Sequence, residues 1–437
     1  MPTILMPRRA ASFAALLLAA ALAACGGGDD AAPTTDPAPS APDTTPVQPP
    51  APPPVEPPAP PPAEPPIPPP VVESGPGALL AGAFVKTITA SEITQAFADP
   101  ESKVDHGLAP RYDVSSYRIV YTSTDKNGAE LAVSGLISVP AKAAGLPSPV
   151  LSYQHATTFY DNQAPSNKVE AVEPPIVLAS LGYIVVSPDY VGFGASKGVQ
   201  HPYLIAAPTA RVVIDMLNAA QTWRWQNRVA DNGQLFLAGY SEGGYATMAA
   251  HRAIELENGA LKTRLQAAVP GAGPYDVLET LDEQLERVDD VAPWLSWALR
   301  PGSLKYVGGT VRDEIRRALL RQMVPEDGDV SYQTLFLDRY LADERAAIQA
   351  EHDVHTGWTP TVPLHLFHGR GDLTVPYSAA ESALSTLRAT GTAATVSVKL
   401  EITSMPRVQP NSRTCRAMPG VLQTTVSMLR NFLRDVG

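Results

Sequence analysis

The sequence is poor in cysteine, in positive charge and in long apolar runs. Its 437 residues include 2 cysteines, which excludes a disulfide framework and a cysteine-rich zinc or iron–sulfur site. Lysine and arginine number 33 against 44 acidic residues, so the formal charge is −11 and nothing is arranged to neutralise nucleic-acid phosphates. Beyond the first 25 residues, no stretch is long and apolar enough to span a membrane. We therefore expect a protein that does not bind nucleic acid.

Proline is abundant, and its distribution divides the chain. Of 45 prolines, 21 lie between Pro33 and Pro76. Such a segment cannot bury enough apolar surface to fold, so we expect a polyproline II spacer that reaches on the order of 130 Å at about 3.1 Å per residue. Residues 77–437 have an ordinary composition and are enough for one large core or two smaller ones. The composition therefore predicts a disordered tether at 25–76 and a folded domain at 77–437.

The first 24 residues are typical of an exported protein. Arg8 and Arg9 precede an apolar run at 10–24 that suits a signal peptide but is too short for a mature membrane span. The run ends Leu-Ala-Ala-Cys-Gly, which resembles the bacterial lipobox, and the resemblance implies that residues 1–24 are removed and Cys25 is lipidated. Gly26 resembles the outer-membrane sorting pattern of Gram-negative lipoproteins. We therefore expect a protein anchored in the cell envelope through Cys25; a plain secretory signal is the alternative.

Short apolar runs bounded by glycine or proline alternate with helical patterns along most of the domain. The runs begin near residues 150, 183, 235, 267, 364 and 396, and the helical patterns cover 209–225, 242–256, 378–389 and 421–433. Buried strands that alternate with helices indicate a mostly parallel sheet with helices on both faces. Before them, a capped helix begins near Ser91, and two alternating strands flank Asp125–Gly128 as a hairpin. The predicted fold class is α/β.

Residues 276–356 interrupt this alternation. Apolar side chains between Val277 and Val288 fall at helical spacing, and the pattern recurs between Ile315 and Met323. Trp294 and Trp297 lie three residues apart, on one face if that stretch is helical. We expect a helical insertion that forms a lid over one end of the sheet, with a packed subdomain that has no gating role as the alternative.

The segment Gly239-Tyr-Ser241-Glu242-Gly243 carries the strongest chemical signal. It follows an apolar strand and opens an alanine-rich helix, which is the order that a G-x-S-x-G nucleophile elbow requires. The tight turn holds the serine in a strained conformation and presents its hydroxyl above the sheet at a helix N-terminus. Ser241 is therefore the candidate nucleophile, and the backbone N–H of Glu242 is a candidate oxyanion donor.

Together these elements resemble the α/β-hydrolase superfamily over about residues 80–437. Gly182–Ser196 resembles the strand and glycine-rich loop that precede the nucleophile in that family. Ser152–Thr157 resembles the segment that shapes the oxyanion hole, with Ala156 where a glycine is common. Phe367–Pro376 resembles the loop that carries the triad acid, and Asp372 matches that acid. The elbow and the helical insertion look most like secretory lipases and esterases.

The resemblance implies acyl transfer to water. Ser241 would attack an ester carbonyl, the N–H groups of Ala156 and Glu242 would hold the oxyanion, and water would hydrolyse the acyl-enzyme. The implied substrates are small-molecule or lipid esters, and no cofactor is expected. The elbow sequence also resembles the prolyl-oligopeptidase group of serine peptidases, but the chain has no room for that group's propeller.

The chain departs from the family at the third member of the triad. The family's base is a histidine that follows the acid, and all eight histidines here precede Asp372. Three explanations remain open: a sequence error or local frameshift in residues 403–416, a degenerate protein that is weakly active or only binds a ligand, and a replacement such as His352 or His355. These two histidines lie three apart and could contact a metal, but they lack a clear third ligand, so no metal site is predicted. Cys415 is expected to be a buried, inert thiol.

Overall fold

The computed structural model describes residues 72–98, 108–291, 327–372, 374–391 and 398–403, together with isolated positions between 296 and 325. The predicted signal peptide, Cys25 and the tether as far as residue 71 lie outside the described residues. So do Cys415 and the helical pattern at 421–433. The predictions made for those segments remain predictions.

In the described part of the chain, nine strands form one sheet. They are β1 (Leu79–Ile88), β2 (Val114–Thr124), β3 (Glu130–Pro140), β4 (Ser148–Gln154), β5 (Ile184–Pro188), β6 (Asp231–Tyr240), β7 (Leu265–Gly271), β8 (Leu364–Gly369) and β9 (Val398–Thr403). Their order across the sheet is β1-β2-β3-β5-β4-β6-β7-β8-β9. The first three strands and the β3–β5 pair are antiparallel, whereas the other pairs from β5 to β9 are parallel. The predicted α/β class, the hairpin and the parallel sheet are confirmed.

The helices lie between the strands much as the sequence predicts. They are α1 (Ala90–Ala98), α2 (Pro174–Ser180), α3 (Ala206–Gln226), α4 (Glu242–Glu257), α5 (Ala260–Arg264), α6 (Val277–Val291), α7 (Leu335–Leu341), α8 (Arg345–Glu351) and α9 (Tyr377–Ala389). The first begins with a capping box, because the Glu92 carboxylate accepts the N–H of Thr89 at 2.7 Å and the Thr89 hydroxyl accepts the N–H of Glu92 at 3.1 Å.

Apolar layers cover the sheet on both faces. Along β6, Leu235 and Leu237 belong to one buried cluster and Phe236 and Ala238 to the other. Successive side chains of a strand point to opposite faces, so a strand that is apolar at every position must be covered on both. The first cluster includes side chains of α3 and α4, and the second includes those of α1 and α2.

Between β7 and β8 lies the predicted insertion, residues 276–356. Its first helix, α6, covers the helical pattern that begins at Val277, and α7 and α8 precede the return to the sheet. The pattern at 315–323 and both Trp294 and Trp297 lie outside the described residues. A gating role for the insertion therefore stays a prediction.

The parallel strands β4, β6 and β8 end at the same edge of the sheet. The chain leaves them at Gln154, Tyr240 and Gly369, so the segments that hold Ala156, Ser241 and Asp372 all start from this edge. Ligand sites of open α/β sheets lie beyond the carboxyl ends of the strands. A search of the described helices found none with the length and apolarity needed to cross a membrane.

Candidate active site

Ser241 occupies a strained turn between β6 and α4. Its backbone has φ 57° and ψ −120°, in the region that non-glycine residues rarely adopt. Its N–H donates a 2.8 Å hydrogen bond to the carbonyl of Gly271 on the neighbouring strand, which holds the turn in place. This strand, strained serine and helix are the geometry of a nucleophile elbow.

The glycines of the elbow are required because backbone approaches backbone there. A Cβ on Gly239 would lie 2.3 Å from the Gly243 carbonyl oxygen, and a Cβ on Gly243 would lie 2.0 Å from that of Gln154. Neither distance is possible between real atoms, and the neighbouring atoms are backbone, so a side chain could not be accommodated by rotation. The close approach places the start of α4 against the end of β4.

Two backbone donors flank the elbow. Ala156 follows the end of β4, and Glu242 is the first residue of α4. Among the described residues, the N–H of neither donates to another group. A Cβ on Gly243 would lie 2.8 Å from the His155 carbonyl oxygen, so the segment before Ala156 abuts the elbow. Two uncommitted N–H groups beside a strained serine are what an oxyanion hole requires.

His155 fixes the segment that carries Ala156. Its Nδ1 lies 2.8 Å from the Ala156 carbonyl oxygen and its Nε2 lies 3.2 Å from that of Asp189. The ring also stacks on Tyr190 with centroids 4.1 Å apart. Burial lowers the pKa of His155. Since both nitrogens face backbone carbonyls, His155 orients the segment and is not free to accept a proton from Ser241.

A buried pair joins the elbow helix to the loop after β5. Nε2 of His201 lies 2.6 Å from Oε1 of Glu242, and its Nδ1 lies 2.7 Å from the Val191 carbonyl oxygen. A carbonyl only accepts hydrogen bonds, so Nδ1 carries a hydrogen and the contact with Glu242 holds one further proton. The side chains are 3% and 4% exposed, so the pair is shielded from solvent and from salt. It therefore fixes the side chain of the residue that offers the N–H beside Ser241.

Asp189 organises the glycine-rich loop from beneath. Its Oδ2 accepts hydrogen bonds from the hydroxyls of Ser134 at 2.6 Å and Ser166 at 2.5 Å, and its Oδ1 accepts the N–H of Ser166 at 2.8 Å. A Cβ on Gly194 would lie 2.1 Å from the Ser134 hydroxyl. The carboxylate is fully buried, and these donors satisfy it there.

Asp372 lies in the loop after β8, as the sequence predicts. Its Oδ1 accepts the N–H groups of Thr374 at 2.8 Å and Val375 at 3.1 Å, and its Oδ2 lies 3.6 Å from Nε2 of His368. His368 is directed elsewhere, because the same nitrogen lies 2.8 Å from the Val375 carbonyl oxygen. Burial raises the pKa of Asp372, an effect that His368 opposes, and burial lowers the pKa of His368. The acid loop is therefore ordered without an imidazole bridging Asp372 to Ser241.

The proposed replacements for the missing base are engaged elsewhere. Nδ1 of His352 lies 2.5 Å from the Leu204 carbonyl oxygen, and Nδ1 of His355 lies 2.9 Å from that of Tyr275. Within the described ranges, no imidazole hydrogen-bonds the Ser241 hydroxyl. Burial lowers the pKa of His352. The described residues thus bring together Ser241, Ala156 and Glu242 but supply no base in contact with the serine.

Sequence reasoning missed His201 and Asp189 as parts of the site. His201 and Glu242 are 41 residues apart, and no spacing links them. The available signal was chemical: a glutamate placed directly after a buried nucleophile needs a donor, and a histidine is the group that can share a proton with it. For a metal, the described residues offer one group of three, Asp276, Asp353 and His355.

Comparison with known proteins agrees with the fold. Residues 172–290, which include the elbow, match the family model described as secretory lipase. The crystal structure of the rice cell wall degrading esterase LipA from Xanthomonas oryzae is similar, with a TM-score of 0.60 and 23% identity over 82% of this chain and 100% of that one. A hydrolase structure from Legionella pneumophila has a TM-score of 0.61 and 23% identity over 82% of this chain and 99% of that one.

At such identities the structural likeness establishes the fold alone. A search of curated protein sequences found no significant match. The mostly parallel sheet, its helices and these neighbours make this an α/β-hydrolase fold, and the match of residues 172–290 to the secretory lipase model supports a carboxylic ester hydrolase.

Proposed function

We propose that this protein is a serine esterase or lipase that acts through an acyl-enzyme on Ser241. The observation that carries the proposal is the strained serine beside two uncommitted N–H groups, those of Ala156 and Glu242. Strain at this position is maintained only when surrounding backbone enforces it, and such strain concentrates at functional sites. The secretory lipase match over residues 172–290 includes this serine and supports the same chemistry.

The mechanism follows from these positions. The Ser241 hydroxyl attacks the ester carbonyl, and the two N–H groups stabilise the negative charge that develops on the carbonyl oxygen. The alcohol leaves, the acyl group remains on Ser241, and water then releases the acid. His201 holds Glu242, and His155 holds the segment of Ala156, so both donors are preorganised before substrate arrives.

The base is the incomplete part of this mechanism. Asp372 would orient an imidazole, but no histidine follows it in the chain. Loss of a triad member lowers the rate by roughly 10⁴–10⁶-fold, although the oxyanion hole and binding leave a residual rate. Independent resequencing of the codons for residues 395–420 decides whether the protein itself carries a histidine there.

Activity is tested with p-nitrophenyl esters of increasing acyl length. We expect Ser241-dependent turnover, and added imidazole should raise it by supplying the missing base. The same assay on Ser241→Ala subtracts the hydrolysis that imidazole causes by itself. Turnover equal in the two proteins, with and without imidazole, would reject the proposal.

A second candidate function is a hydrolase-like protein that binds a ligand without turning it over. The specific observation in its favour is the absence of a histidine after Asp372. It predicts that ester analogues bind while neither protein shows turnover. Saturable binding of a non-hydrolysable ester analogue, measured by calorimetry, therefore separates the two functions.

We further propose that the protein is exported and anchored to a membrane by lipid on Cys25. The support is the N-terminal sequence, and the match to a family of secretory lipases agrees with export. Metabolic labelling with an alkynyl fatty acid should mark the protein, and Cys25→Ser should abolish the label and release the protein from membranes. Labelling that persists in Cys25→Ser would contradict this assignment.

A further inference from the structure

The two ends of the insertion meet at a buried group of polar side chains. Asp276 precedes α6, whereas Asp353 and His355 lie on the segment that returns towards β8. One possible ligand atom from each residue lies within 4.8 Å of the others. Asp353 is 2% exposed and His355 is 4% exposed, so the group is enclosed by protein. Two carboxylates and an imidazole thus converge in the interior.

His355 is held in the orientation of a metal ligand. Its Nδ1 lies 2.9 Å from the Tyr275 carbonyl oxygen, which only accepts, so Nδ1 carries a hydrogen. In the neutral ring, Nε2 then presents a lone pair on the side of the carboxylates. Metal-bound histidines almost always donate their other N–H in this way, to a backbone carbonyl or a carboxylate. This buried nitrogen is a second observation, apart from the carboxylates, that points to a cation.

The distance between ligand atoms fits an ion between them. Nε2 of His355 lies 3.5 Å from Oδ2 of Asp276, which is too long for an ordinary hydrogen bond. Two ligands bound at about 2.1 Å to a tetrahedral zinc ion are about 3.4 Å apart. The observed separation is therefore the edge of a coordination tetrahedron and not a direct contact.

The carboxylates are themselves oriented. Oδ1 of Asp353 accepts the N–H of Val277 at 2.8 Å, and Oδ2 of Asp276 accepts the hydroxyl of Ser382 at 2.6 Å. Burial, together with the neighbouring Asp276, raises the pKa of Asp353 to about 7. Two buried carboxylates that repel each other in this way favour binding of a cation, and hydrogen bonds to ligating carboxylates are the usual support of a metal site.

We propose that Asp276, Asp353 and His355 bind a divalent transition-metal ion, for which zinc is the best match to one imidazole and two carboxylates. The proposal does not depend on the chemistry of Ser241. The ion would join the start of the insertion to its end and, through Ser382, to α9. Its role would be to fix the base of the insertion on the sheet. The spacing of His352 and His355 could not indicate this site, because two of the three ligands are aspartates and one of them is 77 residues before Asp353 in the chain.

Calorimetric titration of the metal-stripped mature protein with ZnCl₂ tests the proposal. We expect one equivalent to bind with a micromolar or tighter Kd. Asp353→Asn and His355→Gln should each weaken binding at least tenfold, and Ser382→Ala should weaken it less because Ser382 only orients a ligand. The control is Asp282→Asn, on α6 but outside the group, where the carboxylate pairs with Arg345; it should bind zinc as the wild type does.

A second measurement on the unaltered protein covers the case in which those variants fail to fold. The visible absorption of the Co²⁺-loaded wild type should have the intensity of a four-coordinate ion, and zinc should raise the Tm whereas Mg²⁺ should not. Absence of stoichiometric zinc binding, or equal binding by Asp353→Asn and His355→Gln, would overturn the proposal and leave a shared proton as the only cation in the group. Neither outcome bears on whether Ser241 is acylated.

Discussion

At the elbow, backbone packs against backbone beside Ser241, whereas the loop around Asp372 leaves open space. A Cβ on Gly243 would meet the Gln154 carbonyl oxygen at 2.0 Å, but a Cβ on Gly371 would meet nothing within 4 Å. The side chain after the nucleophile is locked by His201, while the nearest imidazole to Asp372 is directed to Val375. The nucleophile half of the site is thus constrained on every side, and the acid half has lost the partner that would constrain it.

The largest expected effect is that of a methyl group in the elbow. Gly243→Ala must displace the end of β4, because the clash is with backbone, and we expect a loss of stability of about 3 kcal/mol or more. Gly371→Ala, in the acid loop, should change stability by less than about 0.5 kcal/mol. Urea unfolding of both variants measures the contrast. Equal effects would mean that the two halves do not differ in packing.

Next in size is the effect of breaking the pair beside the nucleophile. Removing one partner of a buried charged pair costs about 3 kcal/mol, so Glu242→Ala and His201→Ala should each be strongly destabilised. The double variant should be far less destabilised than the sum of the two, because the second change removes a group that the first left unpaired. Glu257→Ala, at the far end of α4 in an exposed pair with Arg211, is the control and should cost under about 0.5 kcal/mol. Additive effects of the two single changes would show that His201 and Glu242 act separately.

A smaller effect is expected on activity when the acid is neutralised. In a complete triad, changing the acid to its amide lowers kcat by about 10⁴-fold because the base loses its orientation. Since no imidazole joins Asp372 to Ser241 in the described residues, Asp372→Asn should lower ester hydrolysis less than about tenfold. Initial rates on the same ester measure this. A loss near 10⁴-fold would show that a base does act through Asp372 and that the acid half is complete.

The smallest effect concerns pH. Burial raises the pKa of Asp372, so the folded state holds its proton more tightly than the unfolded chain does. Its contribution to stability is therefore fully present below the usual pKa of an aspartate and is lost as the pH rises through the raised value. Asp372→Asn keeps an acceptor for Thr374 and Val375 but does not titrate, so its stability relative to the wild type should increase with pH. Parallel Tm profiles from pH 4 to 8 would contradict the raised pKa.

How far the sequence predicted the molecule follows the range of the interactions involved. The elbow was predictable because Gly239, Ser241 and Gly243 meet a local backbone requirement within five residues. The strands β4 to β8 were predictable because burial on both faces makes them continuous apolar runs. By contrast, β1 was missed, since it is an edge strand that is exposed at nearly every position and has no buried face to produce an alternating pattern.

Interactions between distant segments could not be predicted in the same way. The pairing of His201 with Glu242, and of Asp276 with Asp353 and His355, depends on which loops the sheet brings together. Each of these side chains is unremarkable by itself in the sequence. Only the fold shows that Glu242 has a partner, and that the carboxylates absent from the neighbourhood of His355 in sequence are adjacent to it in space.

The central claim is that Ser241 is a nucleophile, and trapping it with a fluorophosphonate is the most direct test. The mature protein is treated with the probe in the presence and absence of imidazole, digested, and the labelled peptide is identified by mass spectrometry. We predict that the label is found on Ser241, that imidazole accelerates its attachment, and that Ser241→Ala is unlabelled. A resequenced, folded protein that acquires no label under either condition would contradict the claim.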